Sequence, residues 1–582
     1  MAVVVPVAVM LALGLWGLDR GGMWGDEGVT FLVGRRTVPQ IWRLLHGVDA
    51  VHGLYYLLLH AVLAVHPGEV ALRLPSVCGA AATAGLVAAL GVRLARPRVG
   101  LWAGLLYAIT PLVGHYAQEG RSYALVAAGV TGATLLLVRA LEKPSAPAKQ
   151  PPTRRSWWPY GAVLAVTFLL HEFAVLVLCA HALTLAAARV PRAVWAGWGR
   201  AAGAAVGVLL PLAWVSQRQS GQVAWLRVPD RDTTERLARG FLSVTPTGAV
   251  FWTSVLLILL GLGAGRLASV ALPLLVVPPV ILLTVSQFRP LFHERYVLYA
   301  LAGAPLLVAA GADRLAGVVR WLWLEGRGVP SGRRAEADRV VAGAGSQRQL
   351  VGALSASGHR SGGDRTTGAG AVVGTGAASR PPVGGVDRTI PPRHTARRPL
   401  PRRRTPLVTL AGVLAVAVPF LHGLPAYRND RLAAHRPENL AVVSALAGRE
   451  LRPGDPVLFL PSFWRVTALA YPGPFAGVRD LALAESGARS GTLSGREVAP
   501  GELRQRLAGV DRVWIVAQSN LLPSRWVPGD PVDRVKLDVV DGEFARRRQF
   551  VSGRVKLALY IRRMPPQHMV TSAPAPPSPA RR

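Results

Sequence analysis

The stretch "MWGDEGVTFLVGRR", residues 23–36, follows the first apolar run of the chain and sets two adjacent carboxylates, Asp26 and Glu27, where that run ends. An acidic pair there is either a solvated helix cap or a site held at a membrane face. Its neighbours favour the second reading. Trp24 is a residue type that anchors at the interface, and "GVTFLVG" is apolar enough to fold back over the pair and desolvate it. A carboxylate in such a pocket suits proton abstraction from an alcohol.

Outward from this stretch, runs nearly free of charge recur over about the first 320 residues, many of them long enough to cross a bilayer. The whole chain of 582 residues is 51% hydrophobic with a mean hydropathy of +0.33. The fold class expected is a polytopic α-helical membrane protein with about 11 spanning helices. They are placed at residues 2–18, 72–94, 99–115, 122–141, 157–170, 173–189, 201–215, 247–264, 267–285, 296–322 and 406–423. Residues 2–18 lack a basic leader and a small-residue cleavage site, so they read as a retained helix rather than a signal peptide. The "HEF" at 171–173 divides a stretch too long for one span. "HGLYYLLLHAVLAVH" at 52–66 is too short to span and is placed outside, lying in the interface beside the amphipathic "VPQIWRLLH".

The formal charge of +34 does not imply nucleic acid, because the arginines cluster in short connectors and in one low-complexity segment. With the N-terminus inside, Arg93, Arg96 and Arg98, then "KPSAPAKQPPTRRS", then "RVPRAVWAGWGR", then the long basic segment all become cytoplasmic. The expected domains are a transmembrane catalytic domain over 1–324 with its first outer loop at 19–71, then a disordered basic cytoplasmic loop over 325–405. After the last span at 406–423, "DPVLFLP", "RVWIVAQ" and "VKLALYIRR" read as strands of a small extracytoplasmic α/β domain over 424–567, with a loose tail at 568–582. Cys78 and Cys179 both lie in apolar runs and define neither a disulfide framework nor a metal cluster.

On this topology the chemistry-bearing residues gather at the outer face. "HYAQEGRSYAL" at 115–125 brings Glu119, Arg121 and Tyr123 to a helix mouth, as a salt bridge or as part of a site. "FRPLFHERYVLYA" at 288–300 concentrates His293, Glu294, Arg295 and Tyr296, as interfacial anchors or as a fork for a phosphate whose lipid tail stays in the bilayer. His171 and Glu172 interrupt an apolar stretch and either satisfy each other or serve function. The chain has no H-E-x-x-H, P-loop, CxxC pair or dinucleotide fingerprint, which argues against a soluble nucleotide donor.

Taken in order, "WGDE", "VHGLYYLLLH", "EVALRLPSVCGA", "YAQEGRSYAL", "HEFA" and "HERYVLYALAG" resemble the GT-C membrane glycosyltransferases related to protein O-mannosyltransferases and the aminoarabinose transferase, most of all their actinobacterial branch. The resemblance covers residues 1 to about 322; many relatives have His-Pro-Pro-Leu where this chain has "VHGL". It implies a cell-membrane, multi-pass enzyme with an extracytoplasmic site. That enzyme moves a mannose-like pentose or hexose from a polyprenyl-phosphate donor to a protein, lipid or glycan acceptor with inversion. Asp26 carries over as general base with Glu27 as its neighbour, and Arg295, with Arg121 and Tyr296, as the donor-phosphate group. Asp49, His52, Tyr55, Glu119, Tyr123, His171 and Glu294 are the acceptor- or sugar-binding candidates. No cofactor is required, although a divalent cation at Asp26 and Glu27 stays open. The rival class is a transporter or lipid flippase, which intramembrane His and Glu would also suit.

Overall fold

The computed structural model describes residues 1–142, 157–243, 248–325, 405–432, 438–519 and 527–563. The expected basic loop at 325–405, apart from its end residues Glu325 and Thr405, and the expected loose tail at 568–582 lie outside the described residues. The described residues within 1–316 and 415–582 form one body, and those within 317–414 a second.

Helix α1 (Val4–Leu15) leads into α2 (Gly25–Gly34), α3 (Val38–Leu45) and α4 (Gly53–Val65), and these into α5 (Glu69–Leu94), α6 (Pro97–Ala108), α7 (Pro111–Ala117) and α8 (Tyr123–Leu141). Then come α9 (Trp158–Leu170), α10 (Val177–Ala187), α11 (Arg192–Arg218), α12 (Arg231–Leu242), α13 (Gly248–Gly261), α14 (Ala268–Val285), α15 (Gly303–Glu325) and α16 (Thr405–Asn429). Among the described residues, Glu69–Leu94, Tyr123–Leu141, Arg192–Arg218, Ala268–Val285 and Glu294–Leu322 are long and apolar enough to cross a membrane, and shorter apolar helices accompany them. Outer faces of α11 and α13 are apolar yet exposed, as at Leu210, Trp214 and Leu259. A lipid solvent accounts for such a surface.

Helix α5 is the hub. Its run of small residues, "CGAAATAG" at 78–85, lets α1, α6 and α8 approach closely. A Cβ on Gly91 would lie 2.6 Å from Cα of Gly100 in α6, and one on Gly79 would lie 2.9 Å from the backbone of α8. Cys78 and Cys179 are free and sit on exposed helix faces. From Arg73 to Arg93, α5 rises about 30 Å, so its two ends are distinct environments. At the far end Arg93 pairs with Glu142 at 2.8 Å, while Arg96 and Arg98 both pair with Asp313.

Two expected spans are interrupted. Residues 99–115 split into α6 and α7 at Ile109 and Thr110, because Pro111 biases the preceding residue out of the helical region and Thr110 is extended. The carbonyls of Ala108 and Thr110 at this break accept from the Tyr427 hydroxyl of α16. The 296–322 span opens as a 3-10 helix over Glu294–Ala302, with Val297 outside helical geometry, before α15 begins at Gly303. The expected break at "HEF" is present: His171 is extended, and a 3-10 turn over Glu172–Leu176 precedes α10. The 52–66 stretch forms α4, which packs on α2, α3, α5 and α9.

The C-terminal part is the expected small α/β domain. It holds α17 (Leu440–Glu450), β1 (Pro456–Leu460), α18 (Val466–Ala470), β2 (Arg479–Asp480), β3 (Leu483–Glu485), β4 (Arg496–Glu497), α19 (Pro500–Ala508), β5 (Arg512–Gln518), α20 (Pro531–Glu543), β6 (Phe544–Ser552) and β7 (Val555–Arg562). The main sheet has the order β2-β1-β5-β7-β6, parallel between β2, β1 and β5 and antiparallel beyond. Alternation along the strands divides its core: Val457, Phe459, Trp514 and Val516 share the main core with α17, while Leu458, Leu460, Val513 and Ile515 pack with α19 and α20.

The tight approach of α5 and α6 generates the first prediction. Gly100→Val should lower the thermal stability of the detergent-purified protein by about 1–3 kcal/mol, read as a drop in Tm, because a Cβ there would overlap the Ala88 carbonyl and Val92.

Candidate active site

The pair Asp26–Glu27 occupies the first turn of α2. Successive residues of a helix point about 100° apart, and here the two carboxylates take separate environments. Glu27 is fully buried and meets Arg73 of α5 in a two-pronged ion pair, Nε to Oε1 at 2.8 Å and Nη2 to Oε2 at 2.9 Å; Oε1 also accepts from the Gly120 N–H at 2.8 Å. The rest of the Arg73 guanidinium donates to the carbonyls of Leu18, Arg20 and Gly22, tying the run into α2 onto α5. Glu27, a catalytic candidate by sequence, thus has both oxygens engaged.

Asp26 is partly exposed. Its Oδ2 lies 3.1 Å from Arg295 Nη1 and 3.9 Å from Arg121 Nη2. Arg295 comes from the 3-10 segment and is nearly buried, with the rings of Trp24, Tyr123 and Tyr296 within 5.5–5.7 Å of its guanidinium. Arg121 donates to Thr30 Oγ1 at 3.1 Å and meets His52 Nε2 at 2.7 Å. Because a guanidinium only donates, that ring nitrogen accepts and its proton sits on Nδ1. Residues far apart in the chain thus converge because α2, the α7–α8 junction and the 3-10 segment all reach one end of the bundle.

The remaining candidates surround this centre. His171 lies tilted against Tyr296 with ring centroids 4.9 Å apart, and its ring is 5.6 Å from that of Tyr123. It does not pair with Glu172, whose carboxylate accepts from Ser216. Asp49 stands at a left-handed backbone position and accepts from Tyr56 at 2.7 Å. Glu294 receives a long 3.5 Å contact from the Tyr116 hydroxyl. Burial pushes the Glu119 carboxyl above its usual range. Burial and then the Arg295 charge push the His293 imidazole down to about 3, so its Nδ1 is free to accept the Arg295 N–H at 3.4 Å.

Several of these groups are buried without a hydrogen-bond partner among the described residues: Nε of Arg121 and of Arg295, the Tyr55 and Tyr123 hydroxyls, Glu119 Oε2 and His171 Nδ1. Orphaned polar atoms concentrated round one centre mark a place for a polar ligand. Two guanidiniums with spare donors suit an anion, and the carboxylate between them suits a proton.

What covers the site differs from expectation. "GVTFLVG" does not fold back over the acidic pair, since it continues α2 and packs against α4 and α18. The C-terminal domain lies there instead, with Glu438 and Phe463 against Gly25. Neither residue stands out in the sequence; only the fold brings them to α2.

Apolar helices that carry such a crevice at one end, with an α/β domain after the last of them, give the chain structural similarity to GT-C membrane enzymes. Its structure is similar to that of ArnT from Cupriavidus metallidurans bound to undecaprenyl phosphate, with a TM-score of 0.52 at 14% identity over 96% of this chain and 97% of that one. ArnT in the apo state gives a TM-score of 0.49 at 13% identity over the same shares. An oligosaccharyltransferase from Archaeoglobus fulgidus gives 0.44 at 11% identity, over 96% of this chain and 73% of that one. No protein-family profile and no curated protein matches the sequence.

The buried pair supplies a stability test. Arg73→Leu strands the Glu27 charge and should cost about 3–5 kcal/mol, read as a lower Tm in detergent. The double variant Arg73→Leu/Glu27→Gln should recover part of that loss.

Proposed function

We propose that the chain is a membrane glycosyltransferase that moves a pentose or hexose from a polyprenyl-phosphate donor to an extracytoplasmic protein, lipid or glycan acceptor, with inversion. One observation carries this reading: Asp26 lies against two guanidiniums whose Nε atoms are buried and unpartnered. The GT-C fold shared with ArnT, whose solved complex holds undecaprenyl phosphate, supports it.

The donor enters sideways with its lipid in the bilayer and its phosphate at Arg295 and Arg121. The phosphate competes with Asp26 for Arg295, so donor binding releases the carboxylate from its ion pair. Asp26 then takes the acceptor hydroxyl proton while the acceptor oxygen bonds to the anomeric carbon from the face opposite the phosphate. The carbon–oxygen bond to phosphate breaks, and its electron pair leaves on the polyprenyl phosphate, where the guanidiniums meet the charge. Tyr296, Tyr123 and His171 form an aromatic wall for the sugar, and Asp49, His52, Tyr55, Glu119 and Glu294 line the sugar and acceptor side. Glu27 organises rather than reacts.

The acidic pair does not fit a divalent ion, because Glu27 is taken by Arg73 and Asp26 faces cations. The reaction is therefore assigned no resident metal. Orientation follows from charge: the Arg93, Arg96 and Arg98 end is cytoplasmic, so the crevice and the C-terminal domain are outside.

Membranes offered radiolabelled polyprenyl-phosphate sugars should label a product, and Asp26→Asn should reduce transfer by about 10²–10⁴-fold at normal expression and membrane insertion. Undiminished transfer by that variant removes the proposed base. Chelation of divalent ions should leave the parent rate unchanged; a rate abolished by chelator and restored by a divalent ion would reinstate a metal.

A further inference from the structure

The segment that enters α2 is held from two sides. Arg73 takes the Leu18, Arg20 and Gly22 carbonyls from the bundle. From the C-terminal domain, Asn439 Nδ2 donates to the Gly21 carbonyl at 2.5 Å, the Leu440 N–H donates to the Met23 carbonyl at 3.0 Å, and the Tyr471 hydroxyl accepts the Met23 N–H at 2.8 Å. That hydroxyl in turn donates to Glu69 of α5 at 2.6 Å. The backbone over 21–23 thus lies in a slot with a partner at almost every step.

Glu438 continues this line. Its carboxylate lies beside Gly25, the first residue of α2. Trp24, the residue at the helix's own cap position, offers no side-chain cap. The first N–H groups of a helix have no partner inside it, and a carboxylate there is favoured by both hydrogen bonding and the helix dipole. A Cβ on Gly25 would lie 2.8 Å from Glu438 Oε2 and 3.1 Å from Phe463. Glycine at 25 is what admits this approach. Arg554, in the turn between β6 and β7, holds Glu438 from behind at 3.7 Å.

The geometry points to Glu438 as a positioning residue for Asp26: the C-terminal domain sets this carboxylate against the start of the helix whose second residue is Asp26, and so completes the active site from outside the bundle. This rests on Asp26 being the proton acceptor of the proposed transfer. Glu438 acts on Asp26 through the first turn of α2. Losing the contact with Gly25 frees that turn, and a displacement of Asp26 by about 1 Å is enough to cost one to two orders of magnitude in rate.

Three full-length variants test the assignment by two readouts. Glu438→Ala removes the carboxylate, Glu438→Gln keeps a side-chain carbonyl in its place, and Gly25→Ala pushes Glu438 and Phe463 away from the helix start. Hydrogen exchange of the peptide covering 24–30 should be faster in Glu438→Ala and Gly25→Ala and close to parent in Glu438→Gln. In sugar transfer, kcat should fall by about tenfold or more in the first two, with KM for the lipid donor held within about twofold and with substantial rescue in Glu438→Gln. The Gly25→Ala/Glu438→Ala double variant should be no slower than either single one. Unchanged exchange in Glu438→Ala, or a kinetic loss confined to KM, overturns the assignment. A parent protein that transfers no sugar overturns the proposed function instead, and the exchange measurement still decides whether Glu438 steadies the start of α2.

Discussion

The ion pair between Arg73 and Glu27 is the constraint on which the site depends. Each nitrogen of that guanidinium donates to α2 or to the segment leading into it. Burying two charges is costly unless their hydrogen-bonding capacity is met, and here it is met by the loop that must be positioned. The pair thereby fixes the rotation of α2 about its axis. With Glu27 turned to α5, Asp26 has to point about 100° away, into the crevice where Arg295 and Arg121 arrive. One residue of separation divides a carboxylate locked in a buried ion pair from one that faces the crevice.

The same logic governs the end of the first helix. The carbonyls of Leu13, Gly14 and Trp16, left open as α1 ends, are taken by Arg431 and Gln118. In a setting poor in water such groups must find protein partners. Arg431 follows α16, so the helix that leads into the C-terminal domain is fastened to the first helix by the groups the first leaves unsatisfied. That fastening brings the chain to residue 438 beside residue 25.

Much of this was legible in the sequence, and the parts that were not share a cause. Apolar runs reveal helices because lipid exposure selects composition over whole segments, and the α/β domain shows in its strand alternation. Asp26, Arg121 and Arg295 stand out because ionisable groups at the ends of apolar runs are costly to place. Hydropathy averages over the breaks at Thr110 and across Glu294–Ala302, where a proline or a local change of helix type decides the path. The division of labour between Asp26 and Glu27 depends on Arg73, which lies 46 positions from Glu27. Glu438 reads as part of an ordinary helix start, because Asn439 does cap α17; its second contact, with Gly25, exists only across the fold.

The opening motif can then be read one residue at a time. Gly25 and Gly28, three apart, share a face of α2 and are where the C-terminal domain closes in: a Cβ on Gly28 would lie 2.7 Å from Leu440 and 2.9 Å from Val466. Asp26 and Thr30, four apart, share another face, and Arg121 addresses both, hydrogen-bonded to Thr30 and 3.9 Å from Asp26. Glu27 takes the direction between them, toward Arg73. Trp24, just before the helix, lies against the Arg295 guanidinium. In "WGDEG" the small residues admit the outer domain, one carboxylate anchors the helix and the other faces the two cations. A helix this short is marginally stable alone, so its orientation comes from the partners on its several sides. The proposed base is consequently only as well placed as the contacts of α2 with the bundle and with the C-terminal domain.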